Sequence, residues 1–202
     1  MYETDMKEIK IILLGESGTG KSNLVNICCN LKFNKNTTSN ISSAILEKKV
    51  IISDIQYNLK FWDTAGQEKY RSLNNIFIKD SKIVIYVYDV SRPATFEALN
   101  YWVNAAEDIL GKKIICGVVG NKNDLEEKVN KEEGEKFAEK FGAFFLLTSA
   151  KNDKGEFTAF VDKLVNEFLV KYNIKGWEIL PKEDGVTLNT NVKPKHKKRK
   201  FC

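Results

Sequence analysis

The sequence predicts an α/β fold: a doubly wound, mostly parallel sheet with one antiparallel strand and helices on both faces. Three observations carry that reading. Short apolar runs alternate with segments of helical period along most of the chain. Residues 83–90 form a near-continuous apolar run, as in a parallel strand covered on both faces. The stretch Gly15-Glu16-Ser17-Gly18-Thr19-Gly20-Lys21-Ser22 fits Gly-x-x-x-x-Gly-Lys-Ser/Thr, a phosphate-cradling turn that needs a strand before it and a helix after it.

Both are present. Ile9, Ile11, Ile12, Leu13 and Leu14 supply the strand, and residues 23–31 supply a helix with Leu24, Ile27, Cys28 and Leu31 on one face. Residues 32–43 are polar and aperiodic, which predicts a loop. Residues 44–53 read as a strand. Next, Ile55, Tyr57, Leu59 and Phe61 alternate with Gln56, Asn58 and Lys60, a strand with one wetter face, joined to its predecessor in a hairpin around Ser53 and Asp54. Residues 95–110 support a helix that stops before Gly111, and 114–119 form another buried strand. Residues 132–141 read as a helix ended by Gly142, and 143–147 as a short strand. Phe157, Val161, Leu164, Val165, Phe168 and Tyr172 share one face of the last helix. From about residue 174, Gly, Pro and charged residues predict a flexible tail, so the chain divides into a domain over 1–173 and a tail over 174–202.

A hydrophobic fraction of 43% and a charged fraction of 29% suit one soluble domain. The first ten residues are charged and hold no apolar segment, so no secretory signal is expected. Cys28, Cys29, Cys116 and Cys202 show neither disulfide nor zinc spacing, which points to a reducing, cytoplasmic compartment with the first three as small core residues. The net charge of +5 is a tail property, because residues 193–200 hold six Lys or Arg and no acid. That run reads as solvated disorder, a nuclear or nucleic-acid signal, or a partner for a membrane surface. Cys202 behind it favours the membrane, since a lipid chain on that cysteine and the basic run would be two anchoring signals; no nucleic acid is expected.

The candidate chemistry falls at the carboxyl ends of strands, where such sheets bind ligands. In the phosphate turn, backbone N–H groups and the helix N-terminus would face a phosphate. Lys21 would reach the β- and γ-phosphates, Ser22 would offer its hydroxyl to Mg²⁺, and Asn23 follows at once. Asp63 can hold Mg²⁺, Gly66 can bring its N–H to the γ-phosphate, and Gln67 can orient an attacking water. Asn121-Lys122-x-Asp124 selects the base: a carboxylate accepts from guanine N1–H and its amine, and adenine offers no such pair. Asn121 would pin the loop, the Lys122 stem would cover the ring, and Ala150, between Ser149 and Lys151, could present its N–H to guanine O6.

Over roughly residues 9–173 these motifs, in this order, resemble the small GTPases of the Ras superfamily. Trp62-Asp63-Thr64-Ala65-Gly66-Gln67-Glu68, the strand end Val87-Tyr88-Asp89-Val90 and a terminal cysteine behind a basic tail are most similar to the Rab branch. The resemblance implies a monomeric GDP/GTP switch with Mg²⁺ and loops around 33–43 and 64–78 that order on the γ-phosphate. It also implies slow hydrolysis, on the order of 10⁻⁴ to 10⁻² per second, and an activating partner. An exchange factor, effectors, a role in vesicle-mediated transport and reversible attachment to the cytosolic face of an endomembrane through Cys202 follow from the same likeness. Phe33 falls where the family keeps an aromatic against the guanine. Two departures stand out. Asn40 occupies the position of the family's metal-binding switch threonine, so it, Thr38 or Ser39 would have to complete the Mg²⁺ shell. The family's partner-facing segments are replaced by Ile41-Ser42-Ser43-Ala44-Ile45 and Phe77-Ile78-Lys79-Asp80-Ser81. A second reading is therefore a scaffold that holds guanine nucleotide and barely hydrolyses it.

Overall fold

The computed structural model describes residues 7–33, 44–63 and 74–172. Along the chain run β1 (Lys7–Leu14), α1 (Lys21–Cys28), β2 (Ala44–Ile52), β3 (Ile55–Asp63), α2 (Asn74–Ile78) and β4 (Ile83–Asp89). They are followed by α3 (Pro93–Glu97), α4 (Leu99–Leu110), β5 (Ile115–Asn121), α5 (Lys131–Lys140), β6 (Phe144–Leu147) and α6 (Glu156–Lys171). Among the described residues the strands form one sheet in the order β2-β3-β1-β4-β5-β6. All neighbours pair in parallel except β2 with β3, as expected for a doubly wound sheet with a single antiparallel strand.

Side chains alternate across a strand, and that alternation divides the core into two layers. Ile9, Ile11, Leu13, Ile83, Ile85 and Val87 face α1 and α6, where Leu24, Val25, Phe157, Val161, Leu164 and Val165 close over them. Ile12, Leu14, Val84, Tyr86 and Tyr88 face the opposite way, against Leu99, Trp102, Val103 and Ala106 of α4 and Ala138 of α5. Each such aliphatic or aromatic side chain contributes about 1.5–3 kcal/mol by leaving water. This two-sided burial is why 83–90 reads as a near-continuous apolar run.

Local signals set the boundaries. Ser53 and Asp54 carry φ of 50° and 63°, the left-handed pair of a two-residue hairpin turn, and bring Ile52 opposite Ile55. The first helix is shorter than its periodicity predicts. Asn30 adopts φ 59°, and the N–H groups of Asn30 and Leu31 return to the carbonyls of Ile27 and Asn26 at 3.0 and 2.8 Å. That doubly bonded left-handed stop ends the helix, so Leu31 lies outside it and is 50% exposed rather than on the buried face. The same device with Gly142 ends α5, as expected. The expected helix over 95–110 is two: Pro93 starts α3 two residues early, and α4 begins after Ala98, where the Tyr101 N–H bonds to the Ala98 carbonyl at 3.1 Å in a tightened turn. Asn58, expected on the wetter face of β3, is buried and donates from Nδ2 to Glu47 at 3.1 Å. Tyr172 falls one residue past α6 and is 49% exposed, stacking on Phe168. The expected tail lies outside the described residues. No helix among the described residues is long and apolar enough to cross a membrane.

Candidate functional site

β1 delivers the chain to the phosphate turn, and α1 begins immediately after it with Lys21. Two glycines are indispensable there. A Cβ on Gly15 would stand 2.1 Å from the Val87 carbonyl oxygen of β4, and one on Gly20, at φ 98°, would stand 2.2 Å from Asn121 Nδ2. Lys21 is 4% exposed, and its ammonium donates to the carbonyls of Gly15 and Glu16 at 2.8 and 2.9 Å. Thr19 Oγ1 donates to the Glu16 carbonyl at 2.9 Å. The turn thus curls around the Lys21 ammonium. Ser22 and Asn23 sit half-buried in the first turn of α1.

The residues expected to hold a metal come from β3 and from the start of α1. Asp63 is the last residue of β3 and pairs with Leu13 in the parallel register, which brings a buried carboxylate beside the strand that feeds the turn. Asp63 and the Ser22 hydroxyl are hard oxygen donors. Among the described residues no group of three or more His, Cys, Asp or Glu forms a metal cluster. A site of one carboxylate and one hydroxyl suits Mg²⁺, which takes few protein ligands and fills its octahedron with water and phosphate oxygens. Asn40, Thr38, Ser39, Gly66 and Gln67 lie outside the described residues.

The residues expected to select the base gather at the ends of β5 and β6. Asn121, 1% exposed, closes β5 and donates from Nδ2 to the Thr19 carbonyl at 2.7 Å. Its Oδ1 accepts from the N–H groups of Lys122 and Ala150 at 2.8 and 3.0 Å. The Ala150 N–H, expected to be on offer to guanine O6, is therefore held by Asn121, and the next N–H, of Lys151, donates to Ser149 Oγ at 3.2 Å. Lys122, at φ 67°, sends its ammonium to the Gly18 carbonyl at 2.6 Å, so its stem spans from the base loop to the phosphate turn. Asp124 accepts from Ser149 Oγ at 2.5 Å and pairs with Lys151 at 3.4 Å. Burial pushes the Asp124 carboxyl up, but the hydrogen bonds from Ser149, its own backbone and Lys151 outweigh that and hold it below the usual carboxylate range. It is an anion at neutral pH, as guanine selection requires. Phe33 follows α1 outside any helix or strand and is 39% exposed.

Sequence reasoning passed over a second carboxylate. Asp89 ends β4, and both its oxygens are engaged: Oδ1 by Ser91, Oδ2 by Lys122 at 2.7 Å and Arg92 at 3.1 Å. Burial raises this carboxyl too, and the hydrogen bonds from Lys122 and Ser91 carry it below its ordinary value. An acid inside the apolar run 83–90 was the available signal. Glu16 was expected to line the nucleotide; its carboxylate also accepts from Trp102 Nε1 of α4 at 3.2 Å, tying the turn to the second core layer.

A model of the Ras family matches residues 10–169. The mouse "Ras-related protein Rab-21" is 41% identical over 155 residues, covering 76% of this chain and 70% of that protein. The sponge Geodia cydonium protein of the same name is 36% identical over 155 residues, 76% of this chain and 68% of its own. "Ras-related protein Rab11E" of Lotus japonicus is 32% identical over 190 residues, 90% of this chain and 87% of its own. With the phosphate turn, the buried Asp63 and the Asn121–Asp124 loop joined on one six-stranded sheet, the chain belongs to the Ras superfamily of small GTPases and is most like its Rab proteins.

Proposed function

We propose that the protein is a guanine-nucleotide switch that holds GDP or GTP with Mg²⁺ and hydrolyses GTP slowly, in the service of membrane traffic. The observation that carries this reading is the ionised Asp124, held by Ser149 and Lys151 in a loop whose Asn121 and Lys122 bond directly to the phosphate turn. Base and phosphates are gripped by one connected unit. Ser22 and Asp63 would hold Mg²⁺, which when bound neutralises charge building on the β- and γ-phosphate oxygens. Lys21 balances phosphate charge, and Gln67 orients the attacking water by likeness to the family. Exchange factor, activator and effectors are proposed from the same membership. A globular domain over 1–173 and a tail over 174–202, with the basic run and Cys202 as membrane contacts, complete the proposal.

Single-turnover hydrolysis of GTP by the full chain and by Gln67→Leu tests it. A wild-type rate on the order of 10⁻⁴ to 10⁻² per second, lost in the variant, is expected. Equal and negligible rates in both, with GDP and GTP still bound, would leave a nucleotide-holding scaffold instead. ATP binding as tight as GTP would overturn the base assignment.

A further inference from the structure

A carboxylate buried at the end of an apolar strand needs partners, and Asp89, with a side chain 2% exposed, has four. Ser91 donates to Oδ1 through its N–H at 3.0 Å and its hydroxyl at 2.7 Å. Lys122 Nζ and Arg92 Nε share Oδ2. Each of these two cations keeps donors for another acceptor, and both turn to the phosphate loop. Lys122 donates to the Gly18 carbonyl at 2.6 Å, and Arg92 Nη2 donates to the adjacent Ser17 carbonyl at 2.8 Å. Asn121 takes the carbonyl after that, Thr19, at 2.7 Å. Three consecutive carbonyls are thus held by three side chains, of which only Arg92 lies outside the base-selecting motif.

The turn that carries Arg92 is stiffened by its own sequence. Pro93 opens α3 with a fixed φ and confines Arg92 to extended backbone, φ −129° and ψ 90°. The buried Thr95 hydroxyl accepts from the Asp89 N–H at 3.0 Å and donates to the Arg92 carbonyl at 2.7 Å. The Arg92 N–H donates to the Asp89 carbonyl at 2.9 Å. A guanidinium is a planar fork, so docking Nε on Asp89 sets where Nη2 points. In a trans peptide the carbonyl and the following N–H point in opposite directions. A Ser17 carbonyl held outward therefore aims the Gly18 N–H toward the phosphates, as Lys122 and Asn121 do for the N–H groups of Thr19 and Gly20.

We infer that Arg92 is a positioning residue for the nucleotide's phosphates, anchoring the Ser17–Gly18 peptide so that its N–H faces them. The inference rests on the guanine-nucleotide reading above. It gives the β4–α3 turn a share in nucleotide retention, and it assigns Arg92 to the outer side of the loop rather than to the reacting phosphate.

The test loads the full chain with fluorescently labelled GDP and Mg²⁺, and compares release with single-turnover GTP hydrolysis in wild type, Arg92→Ala, Arg92→Lys and Asp89→Asn. Arg92→Ala should speed GDP release about 10-fold, the loss of one charge-assisted hydrogen bond, with any loss of hydrolysis no larger than that factor. Arg92→Lys, with an ammonium able to serve Ser17 but no fork to share with Asp89, should recover part of that loss, a rescue that mere loosening of the turn would not show. Asp89→Asn should speed release and shrink the further effect of Arg92→Ala. If the alanine variant unfolds, Arg92→Gln replaces it in the same comparison. Unchanged release in a GDP-retaining Arg92→Ala would overturn the inference alone. Hydrolysis falling on the order of 10³-fold at unchanged release would overturn it in favour of an arginine acting on the transition state. A wild-type chain that retains neither GDP nor GTP would overturn the nucleotide reading and this inference with it.

Discussion

On the side of the phosphate turn that faces β5, side chains 102 and 104 residues away in sequence close on its carbonyls, Asn121 on Thr19 and Lys122 on Gly18. On the side that faces β3, Asp63 is placed by strand register opposite Leu13, and Ser22 by the start of α1. On the first side, side chains distant in sequence bond to the loop; on the second, strand register and the start of α1 fix where the carboxylate and the hydroxyl stand. The difference matches the chemistry proposed for each half. A planar base is recognised by directional hydrogen bonds, which demand acceptors fixed before it arrives, whereas a hydrated cation needs only hard oxygens near the phosphates.

Substitutions in the two halves should therefore fail differently. The largest effect is expected from Asp124→Asn, which removes the acceptor pair for guanine. GDP affinity should fall by about 10²-fold or more in a labelled-nucleotide titration, with the secondary structure seen by circular dichroism unchanged. Asn121→Ala should damage both fold and binding. It strands the buried Thr19 carbonyl and the Ala150 N–H, and should cost about 2–4 kcal/mol in urea unfolding. If it leaves stability intact, Asn121 does not tie the phosphate turn to the loop after β6. In the metal half, Asp63→Asn should bear chiefly on the response to Mg²⁺. Chelation should speed GDP release about 10-fold or more in wild type and by less than about 3-fold in the variant.

Acid should weaken the side of the turn that faces β4 and β5. Asp89 and Asp124 both titrate below their ordinary value in the folded chain. Each contributes stability that is present above the unfolded carboxyl value and lost as pH falls through the depressed folded one, hence below about pH 4. Asp89→Asn should flatten the acid limb of a stability-against-pH curve; an unchanged limb would show that this carboxylate does not matter there. The smallest effect is expected away from the site. Asn130→Ala breaks the reciprocal cap with Glu133 at the start of α5 and should cost about 1 kcal/mol with no change in GDP release.

Much of the candidate site was legible in the chain because its residues are grouped locally. Lys21 and Ser22 follow the glycine turn at fixed spacing, and Asn121, Lys122 and Asp124 stand in a single loop. Other signals were equally local and went unread: Asn130 with Glu133 as a helix cap, Pro93 as a helix start and Asn30 as a left-handed stop. The engagement of the Ala150 N–H by Asn121 was different in kind, since it depends on how two loops meet across β5 and β6.

By itself the sequence determined the buried strands, the hairpin turn and the identity of the chemical groups. Apolar runs, side-chain periodicity and turn residues act through neighbours a few positions away. Only the tertiary structure decided which loops those groups would share. The order β2-β3-β1-β4-β5-β6 is set by packing on both faces of the sheet, and it places the ends of β3, β4 and β5 around one turn. Arg92 over Ser17, 75 residues apart, is a product of that order. No local propensity encodes such a contact; burial of Asp89 among its partners is the physical reason it forms.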